Sequence, residues 1–312
     1  MTGRSYGARP SRGEGFSRIL IATDGSADAR LASRAAIDLA GHAGAVLDVV
    51  SAWAVPTWPY GIYGVGGAGF AEVIAAAEDG SRAYTQAVAA DAQANGVQMG
   101  SLCVMREPAA EAAIAAASEL GDDLIVVGSR GLGPVRRLLL GSVSEAVVHH
   151  ARRAVLVMRG GEGAWPPRFV IAADDGDDAT WPALHRAAEV ARLFEVPLDL
   201  VQVVPPMSRF ARMSEEEALA AVRAHLGTRA GALTDRLATH PESEVRIGDA
   251  AAELLEVAGK YDGGLLVVGS HGKSTLKRLR LGSVSTNLAH AAECPVLVVP
   301  TAVPVGPRTQ SG

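Results

Sequence analysis

The chain is poor in cysteine, poor in aromatic residues and lacks an excess of positive charge. Its two cysteines, Cys103 and Cys294, are far apart and form no C-x-x-C pattern. That excludes a zinc ribbon and a dithiol redox site. Both lie beside apolar strand-like runs, so buried, inert thiols are expected. Aromatic residues are only 4% of the chain, too few for base-stacking platforms. Lysine and arginine number 29 against 34 acidic residues, a net charge of −5. Nucleic-acid binding through bulk positive charge is therefore excluded. No run approaches membrane-spanning length, and the N-terminal stretch has no apolar core of the kind a leader needs. The expectation is a cytoplasmic protein that engages neither membrane nor nucleic acid.

What is present is a globular composition, 48% hydrophobic and 20% charged over 312 residues, enough for two domains with real cores. One stretch occurs twice. The first copy runs Gly128-Ser129-Arg130-Gly131, then a basic arm, then Gly141-Ser142-Val143-Ser144. The second runs Gly269-Ser270-His271-Gly272, another basic arm, then Gly282-Ser283-Val284-Ser285. Both read G-x2-G-x9-G-S. Each begins where a short apolar run stops and ends where a helical pattern starts. Glycine lets backbone N–H groups approach a ligand closely. A helix N-terminus adds unpaired donors and partial positive charge. Together they suit a phosphate. Ser142 and Ser283 could either cap the helix or turn a hydroxyl to a phosphate oxygen.

The pattern along the chain is equally doubled. Residues 1–17 read as a disordered tail. Ile19 to Ala22 is a buried strand, followed by a turn at Thr23, Asp24 and Gly25, with Ser26 capping a helix from Ala27. Strands follow at Val46 to Trp53, Gln98 to Met105, Leu124 to Val127 and Ala154 to Met158, with helices between. Val55 to Phe70 contains a literal G-x-G-x-x-G. It does not follow a strand end directly, so it reads as a loop or lid and not a dinucleotide site. Ser142 to Glu145 reads as a capping box. Residues 160–167 are a linker by composition. The order then restarts at Phe169 and closes at Val299, before a tail at 301–312. Domains are thus expected at 18–159 and 168–300. Five strands alternating with four helices per half predict an α/β fold of two tandem doubly wound, Rossmann-like domains. Right-handed crossovers place the loops after strands one and four at the carboxyl edge, so that Asp24 and Gly128 face one ligand, as do Asp174 and Gly269.

These residues resemble a tandem universal stress protein. The resemblance rests on Ile-Ala-Thr-Asp24-Gly-Ser, on the two glycine stretches, and on the closing run from Cys294 to Val299, matched by Arg153 to Met158 in the first half. It covers about residues 18–300. It implies a five-stranded parallel sheet of order 3-2-1-4-5 in each half, of the adenine nucleotide alpha-hydrolase-like kind, and it implies ATP as the ligand. Carried across, Ala22, Thr23 and Asp24 with the Ala52 backbone would lie near adenosine in the first half. Ala172, Ala173 and Asp174 with the Val203 backbone would do so in the second. Gly128, Gly131, Gly141 and Ser142 would hold phosphates and ribose, as would Gly269, Gly272, Gly282 and Ser283. Val143, Ser144, Val284 and Ser285 would add helix-start contacts. The last strand of each half would pair the halves as an intrachain pseudo-dimer, and two tandem chains could form a homodimer. Two departures stand out. Arg106 replaces a small glycine before Pro108, where it could crowd the adenosine pocket or pair with a phosphate. Asp175 stands where the first half has Gly25.

Other chemistry is thinner. Gly272, Lys273 and Ser274 resemble the end of a Walker A motif, but position 267 is valine, so that reading fails. The paired acids Asp122-Asp123, Asp174-Asp175 and Asp177-Asp178 could hold magnesium but read better as solvated turn residues. Magnesium would instead arrive with nucleotide phosphates. Arg130 is the best candidate in the basic arms for a phosphate partner, and His271 could touch one. No catalytic constellation is assigned by spacing. The functions left are a nucleotide-dependent stress or signalling module, a slow ATPase or phosphotransferase, and an assembly module with empty sites.

Overall fold

The computed structural model describes residues 15–53, 67–131, 140–206, 214–237, 239–270 and 281–301. It falls into two units, Met1–Pro166 and Pro167–Gly312. The first unit contains β1 (Arg18–Ala22), α1 (Ala27–Ala43), β2 (Val46–Ala52), α2 (Gly67–Ala94), β3 (Gln98–Met105), α3 (Ala109–Leu120), β4 (Leu124–Gly128), α4 (Ser142–His150) and β5 (Ala154–Met158). The second contains β6 (Phe169–Asp174), α5 (Trp181–Phe194), β7 (Leu198–Val204), α6 (Glu215–Leu237), β8 (Glu242–Ile247), α7 (Ala250–Gly259), β9 (Gly264–Gly269), α8 (Ser283–Ala291) and β10 (Val296–Val299). Within the first unit the strand order is β3-β2-β1-β4-β5, all parallel. Within the second it is β8-β7-β6-β9-β10, again all parallel. The doubly wound fold in two tandem copies is as expected.

Central strands covered on both faces must be apolar throughout. Ile19, Leu20 and Ile21 in β1 and Leu124 to Val127 in β4 are buried accordingly. Local chemistry sets the helix ends. Ser26 accepts the Ala29 N–H to start α1, and Gly44, at φ 65°, closes it. Ser214 and Glu217 bond each other's backbone N–H groups, a capping box that opens α6.

Several expectations need correction. The loop read as extending to Phe70 ends earlier, because α2 begins at Gly67; the rest of that glycine run, residues 54–66, lies outside the described residues. Phe16 is packed, not tail-like, at 2% exposure, and the Ser17 N–H and O–H both donate to Asp123. Cys103 and Cys294 are half-buried, not fully buried. Burial, with Asp48 nearby, pushes the Cys103 thiol up, away from reactive thiolate. No described helix is long and apolar enough to cross a membrane.

The largest correction is Asp122. It was read as a solvated turn residue, yet it is wholly buried. It sits at the start of β4, beside Asp48 of β2 and Arg18 of β1. Arg18 Nη2 lies 2.6 Å from Asp48 Oδ2 but its Nε is 4.0 Å from Asp122. Asp48 also accepts the Ser101 N–H. The cation and the amide thus both engage Asp48, and Asp122 is left with neither in hydrogen-bond reach. Asp122 keeps its proton: burial first, and then the neighbouring Asp48, raise its pKa to about 7. The unfolded chain releases that proton near the ordinary carboxylate value, so the folded state binds it more tightly between about pH 4 and pH 7. Stability from this group is therefore present at the acid end of that window and lost as pH rises through it. Asp122→Asn carries no titrating proton. Its melting temperature relative to the parent is expected to rise from pH 4 to pH 7.5; a pH-independent difference would remove Asp122 as the titrating group.

Candidate functional site

In each unit the order reverses beside the first strand, so the carboxyl ends of two adjacent strands open onto a crevice. In the first unit these are Ala22 of β1 and Gly128 of β4. The turn after β1 is an Asx turn in which Asp24 Oδ1 accepts the Ser26 N–H at 3.0 Å. Gly25 sits at φ 74°, with the Tyr84 ring packed where a side chain would stand. A cleft open to solvent lies at this edge. Ala22, Thr23, Asp24 and Ala52 line one side, with Val50 and Ala109. Gly128, Arg130, Gly131, Val143 and Ser144 line the other. Gly141 and Ser142 stand at the adjoining helix start.

The glycine stretch is closed at a short neck. The Gly141 N–H donates to the Ser129 carbonyl at 2.7 Å, and Ser129 N–H to Met158 at 2.9 Å. The Ser144 hydroxyl donates to the Gly128 carbonyl at 2.6 Å. These bonds pin the start of α4 to the end of β4. They also correct the capping-box reading. The N-cap is Gly141 and it makes no side-chain cap; Ser142 is already the first helical residue and is exposed. Of the two uses considered for the Ser142 hydroxyl, capping is ruled out. Arg130 is turned inward to a residue that sequence reasoning missed. Asp28 accepts from Arg130 Nε at 3.0 Å and from the Ser129 hydroxyl at 2.6 Å. Its signal was its place in the first turn of α1, where an acid suits the helix dipole.

The second unit repeats the neck. Gly282 N–H donates to Ser270 O at 2.8 Å, Ser270 N–H to Val299 O at 2.7 Å, and the Ser285 hydroxyl to Gly269 O at 2.5 Å. Gly282 is the N-cap of α8, again without a side-chain bond, and Ser283 is the first helical residue. A cleft open to solvent lies at this edge too. Ala173, Asp174, Val203, Gly269, Gly282 and Ser283 line it, as do Val284 and Ser285. Ala172 lies one residue back in β6 and is buried at 1% exposure. His271 and Gly272 lie outside the described residues, as do Arg136, Arg137 and the second basic arm.

The remaining candidates are engaged elsewhere. Arg106 lies over the Trp53 ring at 5.3 Å, a cation–π contact next to the end of β2. Asp175 and Asp177 accept backbone N–H groups within their own turn. Among the described residues no group of three or more metal-ligating side chains is assembled.

The buried serine bonds are the most testable part of the neck. Ser144→Ala takes the buried hydroxyl donor from the Gly128 carbonyl, at a cost of about 1–2 kcal/mol. The exposed Ser142→Ala is expected to change stability by less than about 0.5 kcal/mol. Urea denaturation of both variants checks the contrast, and equal midpoints would refute it.

Comparison with known proteins follows the same repeat. The sequence matches the family described as Universal stress protein family over residues 15–159 and again over 167–300. A universal stress protein of Mycolicibacterium smegmatis is 32% identical over 300 residues, covering 90% of this chain and 96% of its own. Among solved structures, a universal stress protein from Archaeoglobus fulgidus superimposes with a TM-score of 0.65 at 17% identity, covering 91% of this chain and 98% of that one. A protein of unknown function from Pseudomonas aeruginosa gives 0.67, also at 17% identity, covering 92% and 94%. With both halves matched and the doubled neck in place, this chain belongs to the universal stress protein family.

Proposed function

We propose that the chain binds an adenine nucleotide, ATP, and works as a nucleotide-dependent stress-response module. The observation that carries this reading is the pair of glycine N-caps at the clefts, which start α4 and α8 without a capping side chain. Helices α1, α6 and α7 have their first amides satisfied by Ser26, Ser214 and Asp249. The N-caps of α4 and α8 are glycines with no such bond; α3 and α5 also lack one, but start from Pro108 and Thr180. Both glycine starts border a cleft. Unpaired N–H donors with the positive end of a helix dipole, beside a tight glycine turn, are what a polyphosphate requires. Asp24 on the opposite wall is an acceptor suited to hydroxyl or amino donors of a nucleoside. Gly131 separates the two walls, and a Cβ there would come within 2.5 Å of Asp24 Oδ2. Magnesium would enter with the phosphates, keeping most of its waters.

Ligand that binds only the folded chain raises its stability by about 2.7 kcal/mol at a hundredfold excess over Kd. Saturating ATP is therefore expected to raise the melting temperature and to shift the amide resonances of Gly128 to Ser144. Gly131→Val, which drives a side chain into Asp24, is expected to weaken that response at least tenfold. An unchanged melting curve and unchanged amide resonances in the parent protein would refute the reading.

A further inference from the structure

Thr23 and Asp24 line the first cleft from a short turn, and that turn is gripped at its next residue, Gly25. The Gly25 N–H donates to Thr23 Oγ1 at 3.3 Å, and its carbonyl accepts from Arg30 Nη1 at 2.7 Å. Its α-carbon is covered by a ring from another helix. A Cβ on Gly25 would fall inside the Tyr84 ring of α2, against Cδ1, Cε1 and Cζ. Gly25 sits at φ 74°, a conformation open to glycine, the residue with most freedom to lose on ordering. The first two contacts are local to the turn; the third comes from α2.

Helix α2 is itself fixed on the sheet. Ser81, Thr85, Val88 and Ala92 recur at helical spacing and are buried where α2 packs on β2 and β3. Tyr84 stands at the margin of that stripe, 36% exposed, with its ring over the turn. The second unit reaches its own turn in the same way with different chemistry. In α6, Leu226, Ala230 and Leu233 are buried at helical spacing, and Arg229 beside them extends to the turn after β6. Its Nε lies 2.7 Å from Asp174 Oδ2. Its Nη2 donates to the Thr180 hydroxyl at 2.9 Å and to the Asp177 carbonyl at 3.1 Å, and the guanidinium lies over the Trp181 ring at 4.3 Å. Asp174 and Asp175 line the second cleft. In each unit, then, the helix after the second strand holds the turn after the first.

A turn that must be ordered when ligand arrives subtracts that cost from affinity, and one already in place does not. We infer that Tyr84 is a positioning residue for the first cleft: its ring holds the Gly25 turn, and with it Thr23 and Asp24, in the conformation that meets the nucleotide. The inference rests on the nucleotide reading above and names what fixes one wall of that site.

The test compares Tyr84→Ala and Tyr84→Phe in the full chain. Without ligand, amide hydrogen exchange at residues 24–27 is expected to quicken in Tyr84→Ala and to stay parental in Tyr84→Phe. In an ATP titration followed by amide resonances, the midpoint at residues 141–148 is expected to rise about tenfold in Tyr84→Ala, the size of ordering one backbone residue. Tyr84→Phe, which keeps the ring, is expected to restore the parental midpoint. The midpoint at residues 282–288 is expected to stay parental in both, which separates a local effect from a general loss of structure. Parental exchange or a parental midpoint in Tyr84→Ala, an equal loss in Tyr84→Phe, or an equal loss at both clefts would overturn the inference and leave the nucleotide reading standing. No response to ATP in the parent chain would overturn both.

Discussion

The carboxyl edge depends on one physical requirement: the strand that ends at the glycine stretch must be tied to the helix that begins after it. Residues 129 and 141 are twelve positions apart, yet one backbone hydrogen bond joins them. A buried serine hydroxyl doubles the tie three residues later. The same two bonds recur between β9 and α8. A strand-end carbonyl removed from water needs a donor. Here the donor comes from the helix that needs orienting, so one bond serves both ends. With the helix start fixed this way, its amides keep their direction without a cap. Phosphate binding in the proposed function asks for that fixed direction.

Asp28 shows how the first helix joins this arrangement. It lies in the first turn of α1, half-buried, and collects both Ser129 and Arg130. The chain leaving β4 is thereby anchored to the helix that follows β1, across the switch point. An arginine so held is no longer a freely swinging cation. If it meets a phosphate, it does so from a position set by Asp28, with less rotamer entropy to lose. The second unit has Ser270 at the place of Ser129 and forms the same neck.

How much was readable from the chain follows from how local each cause is. The strands were legible because parallel strands buried on both faces leave uninterrupted apolar runs, as in Leu124 to Val127. The Ser26 and Ser214 caps were legible because each bonds within four residues. Ser142 misled for the same reason. Serine followed by an acid three residues on has the composition of a capping box, but a tertiary bond from Gly141 to Ser129 moved the helix start one residue earlier. Asp122 was illegible because its burial is decided by Arg18 and Asp48, which arrive from other strands. Arg229 was illegible too. In a helix rich in alanine and charge it looks like any solvated cation, and nothing in the local spacing says that the turn at Asp174 lies beside it.

The glycine stretch itself is best understood as three separate steric demands. At Gly128 a Cβ would fall 2.7 Å from the backbone of Asp28. That glycine lets β4 and α1 approach and would be needed with no ligand at all. At Gly141 a Cβ would press on the backbone of Ser129 and Arg130 at 3.1 and 3.3 Å, so the third glycine serves the neck bond. Only at Gly131 is the nearest atom a carboxylate oxygen that lines the cleft. Two of the three glycines therefore build the edge and one keeps its mouth open. A chain that lost its ligand but kept its fold would be free to replace Gly131 and would still need Gly128 and Gly141. The spacing of the motif reports the architecture, and the middle glycine is where the proposed binding would leave its mark.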